Sequence, residues 1–189
     1  MSAIAYLAPR FRRAAAVLHA GGVIAYPTEG VYGLGCRPDG WPAVQRLLRL
    51  KDRPASAGLI LIAASLDQLD GWVAPTEPET RSLCRSEASA VTWIVTSGPL
   101  TPEWITGGRA TVAVRVTRHP VAARLCLASG FPLVSTSANR SGKAAARSAL
   151  AVRYRLGLGL DLVVGGATGG AAGPTEIRHA ATGSVARAG

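Results

Sequence analysis

The sequence predicts a single α/β domain spanning residues 1–189. Short apolar stretches alternate with amphipathic helical stretches along its whole length, and several apolar stretches run directly into polar turns, where open α/β sheets put ligands. There is no internal repeat and no second set of core-forming segments. The segment Leu133 to Gly142 states the pattern most plainly: a short strand, Phe131 to Val134, leads into Ser135, Thr136, Ser137, Asn139, Arg140 and Gly142. Such hydroxyl and amide groups need partners, since each one buried unpaired costs roughly 1–3 kcal/mol. Either a ligand or a cap on the next helix supplies them.

Residues 8–20 read as a helix with Phe11, Ala15, Val17 and Leu18 on its apolar side, ended by Gly21-Gly22. Val23 to Tyr26 is a strand. Pro27-Thr28-Glu29-Gly30 breaks it, and Gly30, Gly33 and Gly35 allow backbone to come close to another group, without forming the dinucleotide fingerprint. Residues 41–50 form an amphipathic helix through Val44, Leu47 and Leu48. Pro54 biases Arg53 out of helical geometry, so Lys51 and Arg53 are expected on a loop leaving the helix. Gly58 to Ala63 reads as a strand buried on both faces and Ser65 to Leu69 as a short helix. Residues 70–79 read as a surface connection, 77–87 as a helix, Val91 to Thr96 as a strand and Gly98 to Gly108 as a loop.

Thr111 to Val116 alternates with period two, placing its valines on one face and Thr111, Ala113 and Arg115 on the other. An arginine inside a strand must reach solvent or an anion. A helix follows at 119–129. Residues 146–156 are helical, Asp161 to Val164 is a strand, Gly165 to Gly173 is a glycine/alanine-rich loop, and Thr175 to Arg178 pairs with Ser184 to Arg187 as a last hairpin.

The composition narrows the function. The net charge is +10, and 19 of the 21 basic residues are arginine, leaving only Lys51 and Lys143. Such a charge favours polyanionic partners, and arginine suits bidentate phosphate or carboxylate contacts. Cys36, Cys84 and Cys126 are far apart, as are His19, His119 and His179, which argues against a disulfide framework and a zinc site. No apolar run reaches the roughly 18 residues of a membrane span, and Met1 to Arg13 lacks the pattern of a signal peptide. The chain reads as cytoplasmic, with no membrane partner. The strand ends carry cations, hydroxyls and one amide (Thr28, Tyr32, Lys51, Arg53, Arg115, Ser135, Ser137, Asn139, Thr175), with no nucleophile–base pair and no carboxylate pair. This inventory suits phosphoryl or nucleotidyl transfer by positioning and charge stabilisation, not acyl-enzyme hydrolysis.

Six segments together resemble the YrdC family: Gly22 to Glu29, Tyr32 to Gly35, Lys51-Asp52-Arg53-Pro54, Gly58 to Leu61, Ala113 to Val116 and Pro132 to Asn139. Their order and spacing agree over nearly the whole chain, and the length resembles the short bacterial form rather than relatives with an extra C-terminal domain. The resemblance implies a twisted open sheet with helices packed around it and a large concave basic cavity. It implies threonylcarbamoyl-AMP synthase activity, in which L-threonine, bicarbonate and ATP give L-threonylcarbamoyladenylate and pyrophosphate for tRNA threonylcarbamoyladenosine formation. By position, Lys51, Arg53, Ser137 and Asn139 would be catalytic. These four, with Thr111 and Ser135, would bind ATP. Thr28, Tyr32, Arg115 and Thr175 would bind threonine, with Arg115 on its carboxylate. Mg2+ would arrive with ATP, with no metal held by the protein. Implied partners are tRNA or double-stranded RNA and the downstream threonylcarbamoyl-transfer proteins.

Three departures stand out. Ala57 replaces a usual lysine or other polar residue, Gly30 replaces a usual alanine or threonine, and Glu87-Ala88-Ser89-Ala90 replaces a Trp-Pro-Gly-Pro turn. The last predicts weakened ATP binding. Two alternatives follow: a catalytically weakened RNA-binding protein of the same fold, or an accessory domain of the carbamoyl-phosphate type found in hydrogenase-maturation proteins. The latter would need cysteine-rich domains that this sequence lacks.

Overall fold

The computed structural model describes residues 8–86 and 91–188. Its nine strands form one mixed sheet. They are β1 (Ile24–Pro27), β2 (Tyr32–Gly35), β3 (Ile60–Ala63), β4 (Thr92–Thr96), β5 (Thr111–Val116), β6 (Leu133–Ser137), β7 (Leu162–Val163), β8 (Ile177–His179) and β9 (Val185–Arg187). The spatial order is β7-β1-β2-β6-β3-β5-β4-β8-β9. Pairs β1–β7, β3–β5 and β4–β8 are parallel, and the other neighbours are antiparallel. The helices are α1 (Pro9–His19), α2 (Trp41–Lys51), α3 (Glu77–Ser86), α4 (Glu103–Thr106), α5 (Pro120–Ser129) and α6 (Ala149–Leu156).

Two apolar clusters lie on opposite faces of this sheet, where the sequence suggested one core. Alternation along the strands explains the pair. Ile24, Tyr26, Ile62 and Leu133 point to one face and pack under α1 and α5, against Phe11, Leu18, Val121 and Leu125. Val23, Ala25, Leu61, Val114 and Val134 point to the other, with Val44 and Leu47 of α2, Leu83 of α3, Ile105 of α4, and Val152 and Leu156 of α6. Both faces of the central strands are therefore dry where helices cover them.

Helices α1 and α5 cover only part of their face. Along β6 the same face continues from Leu133 to Ser135 and Ser137, and along β3 from Ile62 to Ile60, which pairs with both Ser135 and Ala113. This uncovered stretch is the floor of the cavity described below.

Several elements differ from the sequence reading. β2 forms where the sequence reading named no strand, and Gly33 and Gly35 allow the close backbone approach expected of them, letting it lie tightly between β1 and β6. A Cβ on Gly35 would come within 2.5 Å of the Val134 carbonyl. Ser135, Thr136 and Ser137 belong to β6 itself, not to a turn after it, since β2 and β3 pair with them. The 70–79 connection holds the buried Trp72, and the 98–108 loop contains α4 with the buried Ile105. α6 begins at Ala149, later than expected, with Ser148 accepting a hydrogen bond from the Ala151 amide as its N-cap. The Glu87 to Ala90 departure lies outside the described residues.

Candidate functional site

A cavity of about 410 Å3 opens on the uncovered sheet face, within the usual size range of ligand sites. Its lining includes Thr28, Arg53, Thr111, Arg115, Ser135, Ser137 and Thr175. Seven of the ten residues singled out in the sequence thus meet around one space. The lining also includes Arg109, His179 and Arg187, which the sequence reading did not select. Among the described residues, four arginines line it and no aspartate or glutamate does. A focused positive potential follows, of the kind that concentrates anions.

Lys51 is placed differently from the expectation. It is the last residue of α2, not part of the loop, because the helix continues until Asp52 takes the left-handed conformation (φ 50°). Its ammonium is buried and turned under the end of β6. Nζ donates to the Ser137 carbonyl at 2.5 Å, the Asn139 carbonyl at 2.9 Å and Asn139 Oδ1 at 3.1 Å. All three of its protons are thereby engaged. Burial, and secondarily the Arg53 charge, lower its pKa to about 8.

Asn139 also lies beside the cavity and not in its wall. Its Oδ1 accepts from the Ser137 hydroxyl at 2.6 Å, and its Nδ2 donates to the Arg140 carbonyl at 3.0 Å and the Lys143 carbonyl at 2.6 Å. The lysine and asparagine therefore brace the strand end that presents Ser137. Arg53, released from the helix as the proline predicted, does face the cavity. Its Nη2 donates to the Gly58 carbonyl at 3.0 Å and the Ala57 carbonyl at 3.3 Å.

Tyr32 departs from expectation too. It is fully buried in β2 and absent from the cavity wall. Its hydroxyl donates to the Gly166 carbonyl at 2.6 Å and accepts from the Gly166 amide at 3.1 Å. That pair fastens the glycine/alanine-rich segment 165–174 beside the site, where Pro174 joins the cavity wall. The His119 ring contacts the Ala167 carbonyl at 3.0 Å, and the amides of Gly169 and Ala171 donate to the carbonyls of Thr28 and Glu29. Gly30 has a specific use here. A Cβ on it would come within 2.0 Å of the Gly173 carbonyl, so only glycine lets this strap lie so close.

The strap ends at Thr175, whose hydroxyl accepts from Arg115 Nη1 at 2.6 Å. Arg115 is buried, and the anion it reaches is internal: its Nη2 lies 3.3 Å from Glu29 Oε2. Glu29 Oε1 accepts from the Thr117 hydroxyl at 2.7 Å and the Arg118 amide at 3.2 Å. Burial pushes the Glu29 carboxyl up, but Arg115 and these hydrogen bonds outweigh it and hold the pKa below the usual value. The remaining polar atoms, Arg115 Nε and Glu29 Oε2, have no hydrogen-bond partner.

Arg187, on β9, donates to the Thr175 carbonyl at 2.9 Å and reaches the cavity from the C-terminal hairpin. Local sequence gave no cue to it, because its place depends on β8 crossing to β4. Arg109 was signalled only by standing after Gly107-Gly108. Among the described residues no cluster of three His, Cys, Asp or Glu side chains could hold a metal ion, and no helix is long and apolar enough to cross a membrane.

Comparison with known proteins agrees with this geometry. The family model Sua5–YciO–YrdC, described as "Telomere recombination", matches residues 16–189. A threonylcarbamoyl-AMP synthase of Alkalilimnicola ehrlichii is 52% identical over 185 residues, covering 95% of this chain and 97% of that one. Another, from Stenotrophomonas maltophilia, is 50% identical over 177 residues, covering 92% and 95%. The crystal structure of P. abyssi Sua5 complexed with L-threonine superposes with a TM-score of 0.83 at 32% identity. It aligns with 89% of this chain, which spans 50% of that longer protein.

Proposed function

This chain belongs to the Sua5–YciO–YrdC family, in its short TsaC-type form, and from that premise we infer that it makes L-threonylcarbamoyladenylate from L-threonine, bicarbonate and ATP, releasing pyrophosphate. The observation that carries the reading is the cavity wall, where among the described residues four arginines and no carboxylate face one space. Two anionic substrates, a triphosphate and an amino-acid carboxylate, are what such a wall suits.

Residue roles follow from chemistry. Arg53 faces the ATP phosphates, with the hydroxyls of Thr111 and Ser135 as neutral donors, while the Ser137 hydroxyl, whose proton goes to Asn139, presents its oxygen to the cavity. Lys51 and Asn139 act through Ser137, by fixing the end of β6. Thr28, Thr175 and Arg115 take threonine, and Arg115 suits its carboxylate because Glu29 and Thr175 already orient the guanidinium. Tyr32 acts at one remove, by fastening the strap. The amine of threonine first bonds to the bicarbonate carbon, a C–O bond breaks with loss of water, and a carbamate results. A carbamate oxygen then attacks the α-phosphorus in line, the bond to the β-phosphate oxygen breaks, and pyrophosphate leaves. Fixed guanidiniums offset the charge that develops on it. Mg2+ travels with ATP, held by phosphate oxygens. Among the described residues the wall offers hydroxyls and His179 but no carboxylate, which suits a metal that would be carried by the nucleotide. A cytoplasmic setting, with tRNA and the threonylcarbamoyl-transfer proteins downstream, completes the reading.

The test is pyrophosphate release from ATP and bicarbonate, with and without L-threonine. Release that requires threonine is the expected result. Folded protein that binds RNA in a salt-sensitive manner but releases no pyrophosphate would favour the binding-protein alternative. Arg53→Ala is expected to lower turnover on the order of 10²-fold, as loss of one preorganised donor does.

A further inference from the structure

We propose that Arg109 is a phosphate-contacting residue of the cavity and the partner of Arg53 on the triphosphate, in the place that sequence alone would assign to Lys51. The inference rests on the ATP reading above and adds a residue to it.

Lys51 has no proton to spare, since its ammonium is spent on two carbonyls and one amide oxygen beneath β6. The cation next to Arg53 is Arg109. Both guanidiniums hold the same short turn, Ala55–Ala57 and Gly58, from two directions. Arg109 Nη1 donates to the Ser56 carbonyl at 3.0 Å, while Arg53 Nη2 donates to the carbonyls of Ala57 and Gly58. The seat of Arg109 is built from two glycines in left-handed conformations, Gly58 (φ 67°) and Gly107 (φ 66°). A Cβ on either would come within 2.4 Å or 2.8 Å of Arg109 Nη2.

Two like charges fixed on one turn repel each other, and among the described residues no carboxylate pairs with either. Among the described residues neither Arg53 nor Arg109 forms a salt bridge, and Arg53 Nε is buried without a hydrogen-bond partner. A folded protein accepts such a pair where an anion binds between or across them, and a fork of two guanidiniums suits adjacent phosphate groups. Ala57, with one methyl group between the two, leaves the approach open.

The experiment compares wild type, Arg109→Ala and Arg109→Lys for binding of inorganic tripolyphosphate, for inhibition by AMP, and for the KM of ATP and of threonine. The expected result is a 10- to 100-fold loss for ATP and tripolyphosphate in Arg109→Ala. AMP inhibition and threonine KM should change less than threefold, and Arg109→Lys should recover part of the loss. Unchanged ATP and tripolyphosphate binding would overturn the proposal. So would parallel losses for AMP and threonine, which would mark a purely structural arginine. If wild type shows no threonine-dependent pyrophosphate release but tripolyphosphate binding still depends on Arg109, the adenylate-forming reading fails and the anion seat stands.

Discussion

Replacing Glu29 by glutamine tests how the threonine side of the cavity is held. The substitution keeps an oxygen able to accept from the Thr117 hydroxyl and the Arg118 amide, and removes only the charge 3.3 Å from Arg115. At an effective dielectric constant near 20 the gross attraction over that distance is about 5 kcal/mol. Desolvation of both groups offsets much of it. The variant, however, leaves a buried guanidinium without its counter-charge, and breaking a buried pair from one side costs about 3–5 kcal/mol. With a urea dependence of roughly 2–3 kcal/mol per molar for a chain of this size, the unfolding midpoint at pH 7 should fall by about 1–2 M. The pH dependence has a definite sign. The Glu29 pKa is lower in the folded protein than the ordinary 4.5, so the ion pair contributes fully above that value. The contribution is lost as pH falls through the folded pKa, whereas the glutamine variant has no such loss. The two midpoints should therefore converge in acid. A midpoint shift below about 0.3 M at pH 7, or a gap that persists undiminished at pH 3, would refute the argument. A double-mutant cycle with Arg115→Met should return a coupling of about 1–3 kcal/mol.

Gly30→Ala should displace the 165–174 strap, because the new Cβ meets the Gly173 carbonyl. The expected outcome is faster proteolytic cleavage of the strap and a loss of about 1–3 kcal/mol in urea unfolding. Asn139→Ala removes several hydrogen bonds at the end of β6 and should lower stability by about 1–3 kcal/mol, whereas Ser137→Ala should cost less stability and weaken ATP more, as read by thermal shift and ATP KM. Lys51→Met leaves the carbonyls of Ser137 and Asn139 without their donor; turnover should fall by 10-fold or more with the KM of threonine nearly unchanged. Tyr32→Phe keeps the ring in the core and loses only the Gly166 bonds, so strap cleavage should rise while the unfolding free energy falls by about 1 kcal/mol.

The helices and most strands were legible because their apolar periodicity survives in this sequence. The alternation in Thr111 to Val116, for example, correctly set Thr111, Ala113 and Arg115 on the cavity side. β2 was not legible as a strand, since its glycines signal only a close backbone approach until β1 and β6 are known to flank it. The site was half legible. Ser135 and Ser137 could be found from a dense run of hydroxyls after apolar residues. The role of Lys51 could not, because spacing tells nothing of which way a long side chain at a helix terminus turns, and here the carbonyls at the end of β6 draw it inward. Tyr32 was drawn into the candidate site by its neighbours in sequence, yet its hydroxyl serves a segment more than 130 positions away. Arg187 depends on the parallel pairing of β8 with β4, a contact with no local signature.

The floor of the cavity and the main core are two sides of the same strands. Val114 and Val134 are locked in apolar packing on one side while Ala113, Arg115 and Ser135 look out on the other. No floor residue can shift without dragging a core residue with it. The ordering entropy of this half of the site is therefore surrendered during folding, before any substrate arrives. What remains free to respond is the strap, held by a pair of hydrogen bonds at Tyr32 and by further ones at His119, Thr28, Glu29 and Arg147. Amide exchange should accordingly divide the site in two, with β3, β5 and β6 exchanging only at the rate of global unfolding and the strap exchanging far sooner. The site thus joins a rigid bed to a more loosely tied edge.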